Sequence, residues 1–253
     1  MGQSSSTRPV ALVTGAGRRL GRYIAQGLIE KGYDLLVHFH ASEEGALSLV
    51  ERAKQTGGNA AIVKADLSTV TGVTLLVDKA FEQFKRIDLL VNNAGVFLSG
   101  SALNASEEVW DMTINVNLRA IFFLCQKIGR QMLSNGGGRI INIASLGGFQ
   151  PWVEHAPYSI SKAGVIMLTR IFAKALAPDV LVNAIAPGVI LMQDEITKAQ
   201  HIPEERIPLK RYGTYKDIVE AVLFFATQAS YTTGQVLMVD GGRFLSAYGG
   251  DVG

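Results

Sequence analysis

From residue 9 to residue 240, short apolar runs alternate with segments of helical period, and that rhythm confines the chain to one class of fold. The runs Val10–Val13, Asp34–Phe39, Ala60–Lys64, Ile87–Val91, Arg139–Ala144, Leu181–Ile185 and Gln235–Val239 are rich in Val, Ile and Leu and almost unbroken in hydrophobicity. Strands of a parallel sheet covered on both faces read this way, whereas a half-solvated strand alternates. Helical patterns fall between them at 19–31, 43–55, 70–84, 106–133, 156–177 and 214–228. Ser106 followed by Glu107 and Glu108, and Thr214 with Asp217 three positions later, read as helix starts. The alternation predicts an α/β doubly wound sheet. The stretch 188–213, rich in Pro and charge, breaks the rhythm, and a long segment after a late strand is expected to cover a site.

With 253 residues, 48% of them hydrophobic, the chain is long enough for one sizeable core. We expect a flexible N-terminal tail at 1–8 and a single domain over 9–253. The net charge is +2 and no stripe of Lys or Arg occurs, so nucleic acid is not an expected partner. The one cysteine, Cys125, lies in the apolar stretch Ile121–Cys125, where a buried inert thiol is expected. His38, His40, His155 and His201 show no metal-ligand spacing with carboxylates, so no metal is expected. No apolar run reaches the length of a membrane span, and no signal-peptide core is present. Met1-Gly2-Gln3-Ser4-Ser5-Ser6 matches the myristoylation pattern, but a plain polar tail accounts for it. The expected location is the cytoplasm.

The first run leads through Thr14-Gly15-Ala16-Gly17-Arg18-Arg19-Leu20-Gly21 into a helix. Glycines there let the backbone approach a pyrophosphate, and the helix N-terminus adds amide donors. The spacing is not that of the G-x-G-x-x-G fingerprint, so the strand before it and the helix after it carry the reading. The second run ends His38-Phe39-His40-Ala41-Ser42, without the acidic residue that usually binds a ribose 2′-hydroxyl. Arg18, Arg19, His40 and Ser42 instead suit a 2′-phosphate, so NADP(H) is expected ahead of NAD(H). Ala65-Asp66-Leu67 follows the third run, where Asp66 suits an adenine amine; the alternative is a helix N-cap. Asn92-Asn93-Ala94-Gly95 follows the fourth and Pro187-Gly188 the sixth, both at the sheet edge where ligands bind; Asn and Gly also make plain turns.

Tyr158 and Lys162 lie at i and i+4 of a Y-S-I-S-K segment, on one face of the predicted helix 156–177. An ammonium beside a phenol favours the phenolate, lowering a pKa that is normally about 10. Ser145 ends the fifth run, placed to approach that phenol. A second Y-x-x-x-K, Tyr212 to Lys216, contains Gly213 and straddles a loop-to-helix boundary at Thr214, so it reads as chance.

Taken in order, T-G-x-x-x-x-x-G, Asp66, N-N-A-G, Asn117, Ser145, Tyr158-x-x-x-Lys162 and Pro187-Gly188 resemble the short-chain dehydrogenase/reductases over about residues 9–244. That resemblance implies a Rossmann-type domain with a seven-stranded parallel sheet, reducing a C=O or C=N bond with NADPH. It implies Tyr158 as general acid, Lys162 holding the nicotinamide ribose, and Ser145 orienting the reacting oxygen. Asn117 would hold a water that resupplies protons to Lys162; a capped kink in helix 106–133 is the other reading. Gly15, Arg18, Arg19, Leu20, Gly21, His40, Ser42, Asp66, Leu67, Asn93, Ala94, Gly95, Pro187 and Gly188 would contact the cofactor. A homotetramer is also implied. Arg19 stands where the family's usual pattern has glycine, and this detail is similar to the pteridine reductases, in which that Arg reaches cofactor phosphate and substrate. Phe97 falls where they place an aromatic against the pterin. Ser145, Gly95 and Ala41 depart from their Asp, Ser and Arg. The stretch 33–68 resembles 3-oxoacyl carrier-protein reductases equally well. Leu146, Phe149, Trp152, Val189, Leu191 and Met192 suggest an apolar substrate lining, although Trp152 would also suit a subunit interface. A protein that binds NADP(H) as a sensor or scaffold is the alternative of another class.

Overall fold

Apolar runs with no polar face can be buried only between two layers of helices, and the chain places them there. The computed structural model describes residues 8–191 and 203–246; the N-terminal tail, Met192 and His201 lie outside them. Seven strands form one parallel sheet. They are β1 (Val10–Val13), β2 (Asp34–Phe39), β3 (Ala60–Lys64), β4 (Leu89–Asn92), β5 (Gly138–Ile143), β6 (Val180–Pro187) and β7 (Val236–Val239). Their order is β3-β2-β1-β4-β5-β6-β7. Every residue of β1, β2 and β4 is buried. The chain winds outward from β1 to β3, then returns to β4 on the other side of β1. The carboxyl ends of β1 and β4 therefore flank the switch point where a doubly wound sheet opens a crevice.

The helices are α1 (Arg19–Glu30), α2 (Glu43–Gln55), α3 (Val70–Gln83), α4 (Glu107–Ile114), α5 (Ala120–Ser134), α6 (Ala156–Leu176), α7 (Tyr215–Thr227) and the short α8 (Arg243–Ser246). Alternate strand residues feed two cores. Leu12, Leu36, Leu90, Ile140 and Val182 pack with Leu76 of α3, Leu124 of α5 and Val165 of α6. Val13, Leu35, Val91, Ile141 and Ile185 pack with Ile24 of α1, Leu49 of α2 and Val222 of α7. A polar thread crosses the first core. Asn92 Nδ2 donates to Asn142 Oδ1 at 2.8 Å, and Asn142 Nδ2 donates to Thr169 Oγ1 at 2.9 Å. It ties β4, β5 and α6 together just beneath the sheet edge.

The pattern 106–133 is a continuous helical run in which a π-helical turn at Asn115–Arg119 joins α4 to α5, an irregularity that falls at Asn117 where a kink was the other reading. For Asp66, the alternative of a helix cap does not hold. Its carboxylate accepts from Ser68 N at 2.9 Å, closing a local turn, and Thr69 caps α3 by accepting from Gly72 N at 3.0 Å. Ser106 does cap α4, and Thr214 and Asp217 form a reciprocal capping box on α7. Tyr212 stands before that cap and Lys216 inside α7, as read for the chance copy of the motif. Cys125 is fully buried, and burial drives its thiol pKa upward.

Candidate active site

The crevice between β1 and β4 is a cavity of about 340 Å³. Its floor is the turn from β1 into α1. Gly15 takes φ +67°, where a side chain would be strained, and a Cβ on Gly21 would lie 2.3 Å from the Gly15 carbonyl oxygen. A Cβ on Gly17 would lie 2.4 Å from the Ser42 carbonyl oxygen, so this turn also sits directly against the start of α2. Arg18 at the N-cap of α1 makes no side-chain capping bond, and the first turn holds no acid. The orphan amides of α1 therefore face the crevice with their partial positive charge uncompensated from within the helix. Arg19 takes φ +49°, the left-handed region, at the position where a glycine would carry no steric cost.

The turn is locked to β4. Thr14 Oγ1 accepts from the backbone amides of Asn93 and Ala94, each at 3.0 Å, while Asn93 Nδ2 donates to the Thr14 carbonyl at 2.9 Å. Asn93, Ala94 and Gly95 thus form the wall opposite Arg18, Arg19, Leu20 and Gly21. His40, Ser42, Asp66 and Leu67 close the far end. Pro187 and Gly188 are not among the lining residues. They end β6 at the same sheet edge, where Gly188 N donates to the Val239 carbonyl at 2.9 Å and the glycine lies against Asp240.

The four catalytic candidates come together beside this cavity from three elements: the π-helical turn, the end of β5 and α6. Ser145, just past β5, hydrogen-bonds Tyr158 and accepts from Gly147 N at 3.1 Å. Burial raises the Tyr158 pKa, with the Ser145 hydroxyl opposing that rise, so the phenol keeps its proton at neutral pH. Lys162 is buried, and burial brings its ammonium pKa down to about 8. Its Nζ lies over the Tyr158 ring, 5.7 Å from the centroid, and donates to the Ile143 carbonyl at 2.8 Å; what is corrected is the expected lowering of the phenol pKa, which burial raises instead. A buried ammonium takes the best acceptor within reach, here a carbonyl at the end of β5. Asn117, in the π-helical turn, brackets the Val96 backbone. Its Oδ1 accepts from Val96 N at 2.8 Å and its Nδ2 donates to Val96 O at 2.9 Å. A Cβ on Gly95 would lie 3.2 Å from Asn117 Oδ1 and 3.8 Å from Lys162 Nζ, so a bare backbone at Gly95 leaves these groups room.

Above Tyr158 lies an aromatic cluster. Phe97 meets the phenol edge-on at 4.7 Å, Trp152 lies parallel to it at 6.0 Å, and His155 stacks on Phe97 at 4.1 Å. Trp152 therefore packs on the site. Leu146 is buried in the interior, while Phe149 pairs with Phe244 of α8, which brings the C-terminal segment to the same side. Sequence reasoning missed His155 and Phe244, since neither belongs to a motif. It also missed Gly17, His38, Phe39, Val96, Met112 and Val116 among the residues lining the cavity. A signal existed for His38: a histidine in the interior of an apolar strand needs polar partners. Among the described residues, no group of three His, Cys, Asp or Glu side chains is placed to hold a metal ion, and no helix is long and apolar enough to cross a membrane.

Comparison with known proteins gives a consistent setting. A family model described as enoyl-(acyl carrier protein) reductase matches residues 15–243. The chain is 38% identical over 240 residues to a 3-oxoacyl-(acyl-carrier-protein) reductase of Staphylococcus epidermidis, covering 93% of this chain and 98% of that protein. The crystal structure of acetoin dehydrogenase from Enterobacter cloacae superposes with a TM-score of 0.89 at 32% identity, over 98% of this chain and 100% of that one. A blue fluorescent protein from a metagenomic library, solved in complex with NADPH, gives a TM-score of 0.87 at 31% identity, over 93% of this chain and 97% of that one.

Proposed function

The chain belongs to the short-chain dehydrogenase/reductase family, and from that premise we propose that it is an NADPH-dependent reductase of a ketone, with 3-oxoacyl thioesters and small diketones as the first substrate classes to try. It is an oxidoreductase of one catalytic domain over 9–253. The observation that carries the reading is the hydrogen-bonded Ser145–Tyr158 pair at the edge of a glycine-floored cavity.

The residues fit a phosphorylated dinucleotide. Gly15, Gly17 and Gly21 leave backbone where a Cβ would collide, and α1 offers open amides to a pyrophosphate. No carboxylate ends β2, and His40, Ser42 and Arg18 line that end of the cavity, so a 2′-phosphate meets donors there, with Asp66 left to the adenine side. Asp66 and Leu67 suit the adenine, and Asn93, Ala94 and Gly95 the opposite wall. When bound, NADPH supplies the hydride for the reduction.

The chain's own part is to hold and protonate the reacting oxygen. Ser145 and Tyr158 present two hydroxyls to a carbonyl oxygen, and Tyr158 gives up its proton as negative charge develops there. Lys162 adds a positive charge behind the phenol and would hold the nicotinamide ribose. Asn117 fixes the Val96 backbone against α6, and we assign it the support of a water that resupplies protons near Lys162. A protein that only binds the cofactor has no use for a hydrogen-bonded Ser–Tyr pair backed by a buried lysine.

The pteridine reading keeps one supporting observation, Arg19 in the cavity wall. Phe97, however, already stacks on His155, and the group facing Tyr158 is a serine hydroxyl, which protonates a ring nitrogen poorly. A ketone is therefore placed ahead of a heterocycle. The test is NADPH oxidation with an acetoacetyl thioester, diacetyl and dihydrobiopterin. Turnover of the first two with none of the third is expected; turnover of dihydrobiopterin alone reverses the order. The site is proposed to work within a homotetramer.

A further inference from the structure

His38 lies inside β2 with 2% of its surface exposed, and both ring nitrogens are engaged. Nδ1 lies 3.0 Å from the Gly15 amide nitrogen, and Nε2 lies 3.1 Å from the Ala65 carbonyl oxygen. A backbone N–H only donates and a carbonyl only accepts, so the ring is the neutral tautomer carrying its hydrogen on Nε2. The His38 backbone carbonyl also accepts from Ala16 N at 2.9 Å. Two successive amides of the glycine-rich turn therefore end on one residue of β2. The imidazole then reaches across to the loop that carries Asp66 and Leu67. His38, Gly15, Asp66 and Leu67 all line the cavity. Gly15 is tight at its other end too, against Gly21, so a displacement of Gly15 moves the turn relative to α1.

We infer that His38 is a positioning residue for the dinucleotide: its ring sets the spacing between the glycine-rich turn and the Asp66 loop, so the pyrophosphate and the adenosine meet walls already in place. The inference rests on the NADPH reading above. The Gly15 amide is committed to His38, so the donors left for phosphate begin beyond it in the turn and at α1. Valine or leucine at position 38 would fill the strand but leave the Gly15 N–H and the Ala65 carbonyl buried without partners, and the turn would relax to find others. Burial foremost keeps the ring neutral, lowering its pKa to about 4.

The test uses the full chain and three variants, His38→Leu, His38→Asn and His38→Gln, each checked for folding by circular dichroism and thermal melting. Asparagine keeps an acceptor near the Nδ1 position, glutamine reaches toward Ala65, and leucine does neither. Calorimetric titration should give NADPH binding weakened about 10- to 100-fold in His38→Leu, less in His38→Gln, and least in His38→Asn. Hydrogen exchange at the Gly15 amide should accelerate in the Leu and Gln variants and stay slow in Asn. A folded His38→Leu with wild-type NADPH affinity overturns the inference, as does an Asn variant as weak as Leu. If His38→Leu does not fold, the Asn and Gln variants decide, and equal affinity with equal Gly15 exchange overturns it. A wild type that binds NADH and NADPH equally tells against the cofactor reading instead. The same series titrated with NADH then still tests the clamp.

Discussion

Tyr158 is the residue on which the proposed chemistry turns, and its surroundings favour the acid over the base. Burial raises its pKa and the Ser145 hydroxyl opposes that rise, so a proton is available for donation through neutral pH. Tyr158→Phe is therefore expected to lower turnover by about 10²–10⁴ while NADPH affinity is kept, because the lost interaction forms only as charge develops. Steady-state rates with a titration of cofactor check this; Tyr212→Phe, outside the cavity, serves as control and should change little. His38 makes a second prediction. Its folded pKa is depressed by burial from 6.5 to about 4. A base depressed on folding binds fewer protons folded than unfolded, so its contribution is whole above about pH 6.5. It declines as pH falls toward 4 and levels off below that, a loss of about 3 kcal/mol. Urea unfolding of wild type and His38→Asn between pH 4 and 7 should show a steeper fall for the wild type, and identical slopes would refute it. Residues whose role lies in a motif were legible: Ser145 and Tyr158 meet as their spacing suggested. Lys162 lies over the Tyr158 ring as its spacing suggested, but its acceptor was not legible, because it is the Ile143 carbonyl, 19 residues away in sequence. His38 was equally hidden, its role depending on Gly15 and Ala65, which only the fold brings near.

At the scale of elements, hydrophobic period foretold where helices lie, and Asn117 marked the point where helix 106–133 departs from α geometry, though not the form of that departure. The apolar pattern of 106–133 runs on without interruption, yet the backbone opens a π-helical turn at Asn115–Arg119. Asn117 sits there because both ends of its amide engage the Val96 backbone, a pairing across 21 residues that no local pattern records. Helix starts were legible where a side chain caps them, as at Ser106 and Thr214. Removing the α7 cap with Thr214→Ala should cost about 1 kcal/mol, read as a lowered melting temperature with unaltered kinetics. The connection from β2 to α2 carries a cofactor prediction. His40 and Ser42 flank Ala41 at the cavity end, and no acid stands among these three positions after β2. Placing a carboxylate there with Ala41→Asp should repel a 2′-phosphate and accept from a 2′-hydroxyl, moving the preference from NADPH toward NADH by about 1–3 kcal/mol. Paired titrations with both cofactors measure it, and an unchanged ratio would place the 2′-phosphate elsewhere.

For the whole molecule, the parallel sheet and its switch point followed from the alternation of runs, since seven strands hydrophobic on both sides leave few other arrangements. What the pattern could not separate is apolar surface facing the sheet from apolar surface facing a neighbour. Of the residues that read as excess on these helices (Ile121, Phe122, Phe123, Ile166, Met167 and Leu168), Ile121, Ile166 and Leu168 are buried in the protomer itself. Phe122 and Met167 are the exposed part, 39% and 53%, and are joined by Ile171 at 54% and Trp110 on α4 at 42%. These residues lie on the outer sides of α4 and α5, which flank the π-helical turn that holds Asn117, and of α6, which holds Tyr158 and Lys162. Covering them with a second copy would bury apolar area at about 25 cal/mol per Å² and hold the catalytic helices against each other. Light scattering at micromolar concentration is expected to return a mass well above the 27.2 kDa chain, in line with a tetramer. The double variant Met167→Glu, Ile171→Lys places charges in that face without touching the cavity. It should shift the population to smaller species and lower kcat more than NADPH affinity, since α6 carries the phenol and the glycine-rich turn lies on the far side of the sheet switch. A wild type that runs as a single 27.2 kDa species would remove the basis for this assembly. A dissociated variant with full kcat would instead show that α6 holds Tyr158 and Lys162 in place without a neighbour.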